Sequence, residues 1–266
     1  NLLRRADVEL LFVSPKMADS LIPCLDAVES LRYLVITDSP EKDYSKYRED
    51  SRILLQTELI KAGKRKLREG HCEYEEAEVN ADDLSTILFT SGTTGRSKGV
   101  MLSQKNLFSA MPALLNPFDD VKKYTGWNTD EFSSLSALPM FHISAMTSLV
   151  SWSITGHSIN LCNNLKYFYR DLGAMHSEVM AVVPVLLKSI YSDVMKGRRD
   201  RLNGLCVLTC GAAMFDPKML SDMMEKGFFV AQMYGLTETC GDGAWNSSQE
   251  TKYLTSVGHV DLSCEY

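Results

Sequence analysis

The sequence predicts an α/β protein, a parallel sheet in a layered sandwich with flanking helices. Two observations carry that prediction. Short apolar runs alternate with stretches of helical spacing along the chain, the pattern of strands joined by crossover helices. Two complete β-α-β units can also be delimited. In the first, Glu9–Val13 reads as a buried strand. Residues 16–30 carry Met17, Leu21, Leu25 and Val28 at helical spacing, and Tyr33–Ile36 gives the next strand. In the second, Leu205–Thr209 is a strand and Asp216 with Pro217 supplies an N-cap and a first-turn proline. A helix then runs to about Lys226, Gly227 is placed to end it, and Phe228–Met233 follows as a strand. Further strands are expected at Ser85–Phe89, Ser134–Leu138 and His157–Leu161, with a helix over Val185–Lys196. Residues 39–80 read as a polar surface excursion containing a helix near 54–68.

Composition narrows the class. The chain has 266 residues, 45% hydrophobic and 23% charged, enough for one large domain or two small ones. Its net charge of −6 argues against a general nucleic-acid binder. The basic cluster at 61–68 reads as a solvated helix face. Seven cysteines (Cys24, Cys72, Cys162, Cys206, Cys210, Cys240, Cys264) form no C-x-x-C pair. They fit free thiols in a reducing cytoplasm better than a disulfide framework or a zinc site. No apolar run approaches the ~18 residues of a membrane span, and no signal peptide is visible. The chain begins with Asn1 and ends in SCEY, which suggests a fragment of a longer protein.

Four turns stand out, each after a predicted strand: Thr90–Lys98, Pro139–His142, Gly211-Ala212-Ala213 and Tyr234–Thr239. In open parallel sheets ligands bind in the crevice at the carboxyl ends of strands. If the four strands are parallel neighbours, the four turns line one crevice. The first turn suits phosphate. Gly92, Gly95 and Gly99 let the backbone approach an anion, Thr90, Ser91, Thr93 and Thr94 add donors, and Lys98 adds a positive charge. It is not a P-loop, which needs G-x-x-x-x-G-K-[ST] with a helix beginning at the lysine. Here Lys98 follows Ser97, a strand follows, and the next helix starts only at the N-cap Ser103. A mobile glycine-serine loop is the plainer alternative, but hydroxyls, glycines and a lysine rarely coincide in one. Glu238 is the carboxylate of the fourth turn. Opposite a phosphate loop it makes sense as a Mg²⁺ ligand, since Mg²⁺ takes one or two protein oxygens and fills the rest with phosphates and water.

These segments resemble the motifs of the adenylate-forming, AMP-binding superfamily, which includes acyl-CoA synthetases, luciferases and peptide-synthetase adenylation domains. FTSGTTGRSKGV resembles its phosphate loop, with Ser97 where a proline is usual. YGLTE (234–238) resembles a second signature, PMFH (139–142) a third, CGAAM (210–214) the adenine-flanking turn and TSVGHV (255–260) a fifth. The resemblance covers about residues 86–260 and implies the core of the large N-terminal domain of these enzymes. It implies the following division: 1–80 a partial α/β subdomain with the surface excursion, 81–266 the nucleotide- and acyl-binding part, the C-terminal domain absent. It also implies ATP, Mg²⁺ and coenzyme A as reactants, with a small carboxylic acid as substrate. A carboxylate would attack the α-phosphate of ATP, and a thiol would then take the acyl group.

By the same resemblance, Thr90, Ser91, Gly92, Thr93, Thr94, Gly95 and Lys98 hold the β- and γ-phosphates. Gly211, Ala212 and Ala213 flank adenine, and Tyr234 stacks on it between Met233 and Gly235. Thr237 contacts the α-phosphate, Glu238 holds Mg²⁺ with Thr90, and His142 sits near the acyl carbonyl or the thiol route. Amino-acid-activating relatives place an aspartate in the 139–142 region. LPMFHISAMTSLV has none, so a fatty or aromatic acid is the closer fit. Met140, Phe141, Met146, Leu149 and Trp152 are candidates for an apolar pocket or for plain core. Three rivals stay open: an amino-acid or carrier-protein-linked adenylation domain, a P-loop NTPase, and a non-catalytic nucleotide-binding module. The ribose-binding aspartate and the catalytic lysine of the family have no matching position here, so poor activity is expected of the fragment alone.

Overall fold

The computed structural model describes residues 1–91, 96–126 and 131–260 and, for 113–117, the backbone alone. The chain divides into two compact units, Asn1–Asn80 and Ala81–Tyr266.

The first unit holds α1 (Leu2–Arg5), β1 (Leu10–Val13), α2 (Pro15–Leu21), α3 (Cys24–Ala27), β2 (Tyr33–Ile36), β3 (Ile53–Leu55) and α4 (Gln56–Arg68). Its strands form a parallel sheet in the order β1-β2-β3. Val13, Leu34 and Ile36 pack with Ala18, Leu25, Val28, Tyr44 and Tyr47. The helix expected over 16–30 is two helices, because Pro23 has no N–H to donate into a continuing turn. The strand β3 precedes α4 without a break, so its three residues merged with the helix in the sequence reading. The helix α4 has no buried residue, and its lysines and arginines are solvated as expected.

The second unit begins with a two-stranded antiparallel sheet, β4 (Leu84–Thr90) and β5 (Lys98–Ser103). This corrects the expectation that Thr90–Lys98 follows a strand of the parallel sheet. The turn is the tip of a separate hairpin, and Thr90 pairs with Lys98 across it. The long helix α5 (Gln104–Thr125) follows, capped at Ser103. Its first turn is closed by Ser103 Oγ accepting from Asn106 N and Asn106 Oδ1 accepting from Ser103 N.

The main sheet holds β6 (Ser133–Ser136), β7 (Ser158–Leu161), β8 (Val179–Val182), β9 (Val207–Cys210), β10 (Phe229–Gly235), β11 (Gly243–Asn246) and β12 (His259–Val260). Its order is β12-β11-β10-β9-β8-β6-β7, parallel from β10 to β7 and antiparallel at β11 and β12. The connecting helices are α6 (Ile143–Thr155), α7 (Phe168–Ala174), α8 (Pro184–Met195) and α9 (Pro217–Glu225). Alternation along each strand assigns the faces. Met180, Leu208 and Val230 pack with Leu172, Leu187, Ile190 and Leu220 of α7, α8 and α9. Val179, Val207 and Phe229 pack with Phe118 and Val121 of α5 and Trp152 of α6. Helices therefore cover both faces. The strand β8 was not predicted, and it completes the centre of the sheet.

The α8–β9 connection is held by a buried carboxylate. Asp193 on α8 receives Arg201 at 2.8 Å and Arg198. Burial alone would raise its pKa, but the Tyr169 hydroxyl and the two guanidiniums outweigh burial and hold the carboxyl below its ordinary 3.8. A lowered folded pKa gives stability that is present above the ordinary value and lost as the pH falls through the folded one. Asp193→Asn should therefore lower the melting temperature by several degrees at neutral pH. The gap to the unsubstituted chain should close on acidification below 3.8, as read by circular dichroism melts across pH.

Candidate functional site

The chain runs from β6 outward to β7, then crosses to β8 on the other side of β6. The order of strands reverses there, and a crevice forms at the carboxyl ends of the strands flanking such a reversal. A cavity of about 630 Å³ opens at that edge. Its walls come from the segments after β6 (Leu138, Pro139, His142), β8 (Val183), β9 (Gly211, Ala212) and β10 (Leu236, Thr237, Glu238). The hairpin ends contribute Thr90, Ser91 and Lys98.

The cavity exists because of side-chain size along the strand register. On the face under α6, Val179 pairs with Val207, and two residues on Ala181 pairs with Thr209. The larger pair packs against Phe118 and Trp152, while Ala181 and Thr209 are small and leave room. On the helix side, Ser144, Ser148 and Trp152 recur every four residues and so share one stripe. All three line the cavity. Lys98, His142 and Glu238 are exposed at its mouth, whereas Trp152 is 6% exposed.

A second cavity of about 330 Å³ lies against the first and shares Ala212, Met233, Gly235 and Leu236 with it. Tyr234, Ala213, Met214 and Val257 belong to this one. Ala212 has φ +70, a left-handed conformation uncommon for a residue with a Cβ, and it turns the backbone of 211–213 between the two cavities. A third space of about 30 Å³ lies deeper, bounded by Val179, Ile159, Leu149, Ser148 and Trp152.

Of the residues singled out in the sequence, Thr90, Ser91, Lys98, His142, Gly211, Thr237 and Glu238 line the first cavity. Ala213 and Tyr234 line the second, and Ala212, Met233 and Gly235 line both. Gly92, Thr93, Thr94 and Gly95 lie outside the described residues. Of the apolar candidates, Trp152 lines the first cavity and Leu149 the third. Phe141 is 72% exposed beside the His142 ring, and Met146 packs into core. Sequence reading missed the walls supplied by β8, because the short apolar run 179–183 before Pro184 carries no periodicity of its own. It also missed Thr239. Its hydroxyl accepts from Leu236 N at 3.0 Å and meets the Asp242 carbonyl, which fixes the turn that carries Glu238. The signal was a threonine two residues after Thr237, a residue type whose hydroxyl commonly bonds nearby backbone in turns.

The charges at the mouth are unspent. Among the described residues, neither the Lys98 ammonium nor the Glu238 carboxylate has an ion-pair or hydrogen-bond partner, although both face one cavity. The strand β5, which begins at Lys98, packs against the Thr237–Thr239 turn. A free cation and a free carboxylate held near each other suit a ligand that carries negative charge together with a divalent cation. Among the described residues no group of three or more His, Cys, Asp or Glu side chains could hold a metal by itself.

The fold and site define a doubly wound α/β domain whose cavity carries Lys98 and Glu238 at its mouth and apolar side chains inside. The chain belongs to the AMP-binding enzyme family, whose model matches residues 1–266. A 2-succinylbenzoate–CoA ligase from Bacillus licheniformis is 33% identical over 166 residues, covering 61% of this chain and 32% of that protein. Peroxisomal OPC-8:0-CoA ligase 1 from Arabidopsis thaliana is 28% identical over 195 residues, 70% of this chain and 34% of that protein. The chain thus spans about a third of the length of the curated relatives it matches. Among solved structures, a long-chain-fatty-acid-CoA ligase from Archaeoglobus fulgidus superposes with a TM-score of 0.71 at 17% identity, over 97% of this chain and 48% of that one. The o-succinylbenzoate coenzyme A synthetase from Bacillus subtilis, in complex with ATP and magnesium ion, superposes at 0.62 with 24% identity, over 94% and 48%. These likenesses show the fold. No described helix is long and apolar enough to cross a membrane.

Gly235 ends β10 where the chain turns into the Glu238 segment. A Cβ there would collide with the Gly241 carbonyl, and neither backbone can yield without moving the turn. Gly235→Ala should keep the far-ultraviolet circular dichroism of the fold while weakening binding of a Mg²⁺–ATP analogue at least tenfold, measured by calorimetry.

Proposed function

We propose that the whole protein is an acid–thiol ligase. It joins a carboxylic acid to ATP, releasing pyrophosphate, and passes the acyl group from the acyl-adenylate to the thiol of coenzyme A, releasing AMP. The observation that carries this reading is the pair Lys98 and Glu238, unpartnered among the described residues, on one cavity whose other end is apolar. The whole curated relatives are named as CoA ligases, which supports the same assignment.

In this reading the mouth binds the triphosphate. Thr90, Ser91 and Lys98 face the β- and γ-phosphates, with Gly92, Thr93, Thr94 and Gly95 completing the loop. Glu238, with Thr90, holds the metal. Magnesium, when bound, neutralises phosphate charge that would repel an incoming carboxylate. Thr237 steadies the α-phosphate. Tyr234 stacks on adenine in the second cavity, flanked by Gly211, Ala212, Ala213, Met233 and Gly235. The acid lies along the α6 stripe with its carboxylate toward the mouth. Its oxygen attacks the α-phosphorus and the pyrophosphate leaves. His142, the uncapped residue at the start of α6, stands where the acyl carbonyl meets the incoming thiol. The residues act by positioning and by opposing charge, which is where catalysis of this substitution resides. Six free cysteines among the described residues fit a cytoplasmic location.

The test is pyrophosphate exchange and AMP formation by the full-length protein over a panel of fatty, aromatic and amino acids. Fatty or aromatic acids should support both. Exchange with amino acids alone, or hydrolysis to ADP, would overturn the reading. Lys98→Ala should cost about 10²–10³ in kcat, the magnitude for losing one preorganised group at developing charge. Glu238→Gln should raise the Mg²⁺ concentration needed for half-maximal rate.

A further inference from the structure

We infer that Trp152 is the stop that sets acid length, and that the protein takes monocarboxylic acids with an uncharged apolar tail of short to medium reach. The inference rests on the functional reading above and narrows it.

The first ground is position. Trp152 is the innermost member of the Ser144–Ser148–Trp152 stripe, and it borders both the main cavity and the 30 Å³ space behind it. Leu138, Ser148, Ala181 and Thr209 border both as well, and of these five Trp152 carries the bulkiest side chain. The second ground is rigidity. The ring makes edge-on contacts with Phe118 at 5.3 Å and Phe132 at 4.9 Å, and Phe118 and Phe132 stack on each other at 4.7 Å. A tryptophan wedged in this way holds one rotamer and acts as a wall rather than a swinging gate. The third ground is depth. Eight residues of helix rise about 12 Å from Ser144 to Trp152. An extended chain advances about 3.5 Å for every three bonds, so roughly ten bonds fill that length. The fourth ground is charge. Among the described lining residues the inner half holds Phe118, Ser148, Trp152, Ala181, Val182 and Thr209, with no ionised group. A second carboxylate or an ammonium on the acid would be buried there unpaired, which is costly. The described cation of the cavity, Lys98, lies at the exposed mouth.

The test uses the full-length protein and a series of straight-chain acids, with 2-succinylbenzoate as a doubly charged comparison. Two readouts run in parallel, pyrophosphate exchange and calorimetric binding of the acid alone. In both, the unsubstituted protein should improve with each added methylene, by about tenfold where the group is buried. It should then fall off beyond about ten bonds. Binding of 2-succinylbenzoate should be undetectable. Trp152→Leu should move the optimum to longer acids. Ser148→Leu should move it to shorter ones, since it fills the same stretch. Ser148 is half-buried and its hydroxyl bonds only within the helix, to Ser144 O at 2.7 Å, so this variant keeps the fold even if Trp152→Leu does not. An optimum unmoved by Ser148→Leu, equal use of long acids, or tight binding of 2-succinylbenzoate would overturn the inference. A length optimum in calorimetry with no exchange for any acid would overturn the ligase reading and leave the depth assignment standing.

Discussion

A small apolar cluster holds the site together. Leu102, Leu107, Ala110, Ile143 and Cys240, with Leu88 and Val100 against them, join the hairpin, α5, the start of α6 and the end of the Glu238 turn. A two-stranded hairpin is marginal by itself in water. Here its inward side chains find partners on three other elements, and each buried aliphatic group contributes about 1.5–3 kcal/mol. The polar tips at Thr90, Ser91 and Lys98 therefore need no contacts of their own to be positioned. Oil at the base of the hairpin leaves the charges at its end free for a ligand. The same cluster takes Ile143 from the first turn of α6, which ties His142 to the hairpin.

Behind the mouth, the sheet shapes the interior through a graded register. Parallel strands place side chains of one face in rows. A row of valines and phenylalanine at 179, 207 and 229 packs solid against the aromatic residues of α5 and α6. The next row outward, Ala181 and Thr209, is too small to reach α6. The cavity is the space between an underfilled row and the helix above it, and its inner boundary is the place where large residues resume. The second cavity arises from backbone instead, where the left-handed Ala212 and the close approach of Gly235 to Gly241 turn two chains aside.

Much of this was legible in the residues. The alternation of strands and helices gave the α/β class, and the Asp216-Pro217 and Ser103 caps lie where the helices α9 and α5 begin. Residues 16–30 were read as one helix because apolar spacing persists through Pro23, although its missing N–H breaks the run. The strand at 179–182 was invisible because four buried residues show neither period. The hairpin was misassigned to the parallel sheet because its connection, residues 91–97, is longer than the two to five residues that announce strand pairing. The convergence of the hairpin with the Glu238 turn depends on contacts between residues more than 130 positions apart, and no local pattern encodes those. The part Thr239 plays in closing its turn escaped for a related reason, since it is set by backbone geometry rather than by residue type.

The central claim is that Lys98 and Glu238 act on one metal-bound triphosphate. A double-mutant cycle measures it most directly, with Lys98→Ala, Glu238→Gln and the pair, reading affinity for a non-hydrolysable ATP analogue by calorimetry with and without Mg²⁺. The account predicts a coupling energy of about 1 kcal/mol or more with Mg²⁺ that vanishes without it. Effects that simply add, to within about 0.5 kcal/mol in both conditions, would contradict it.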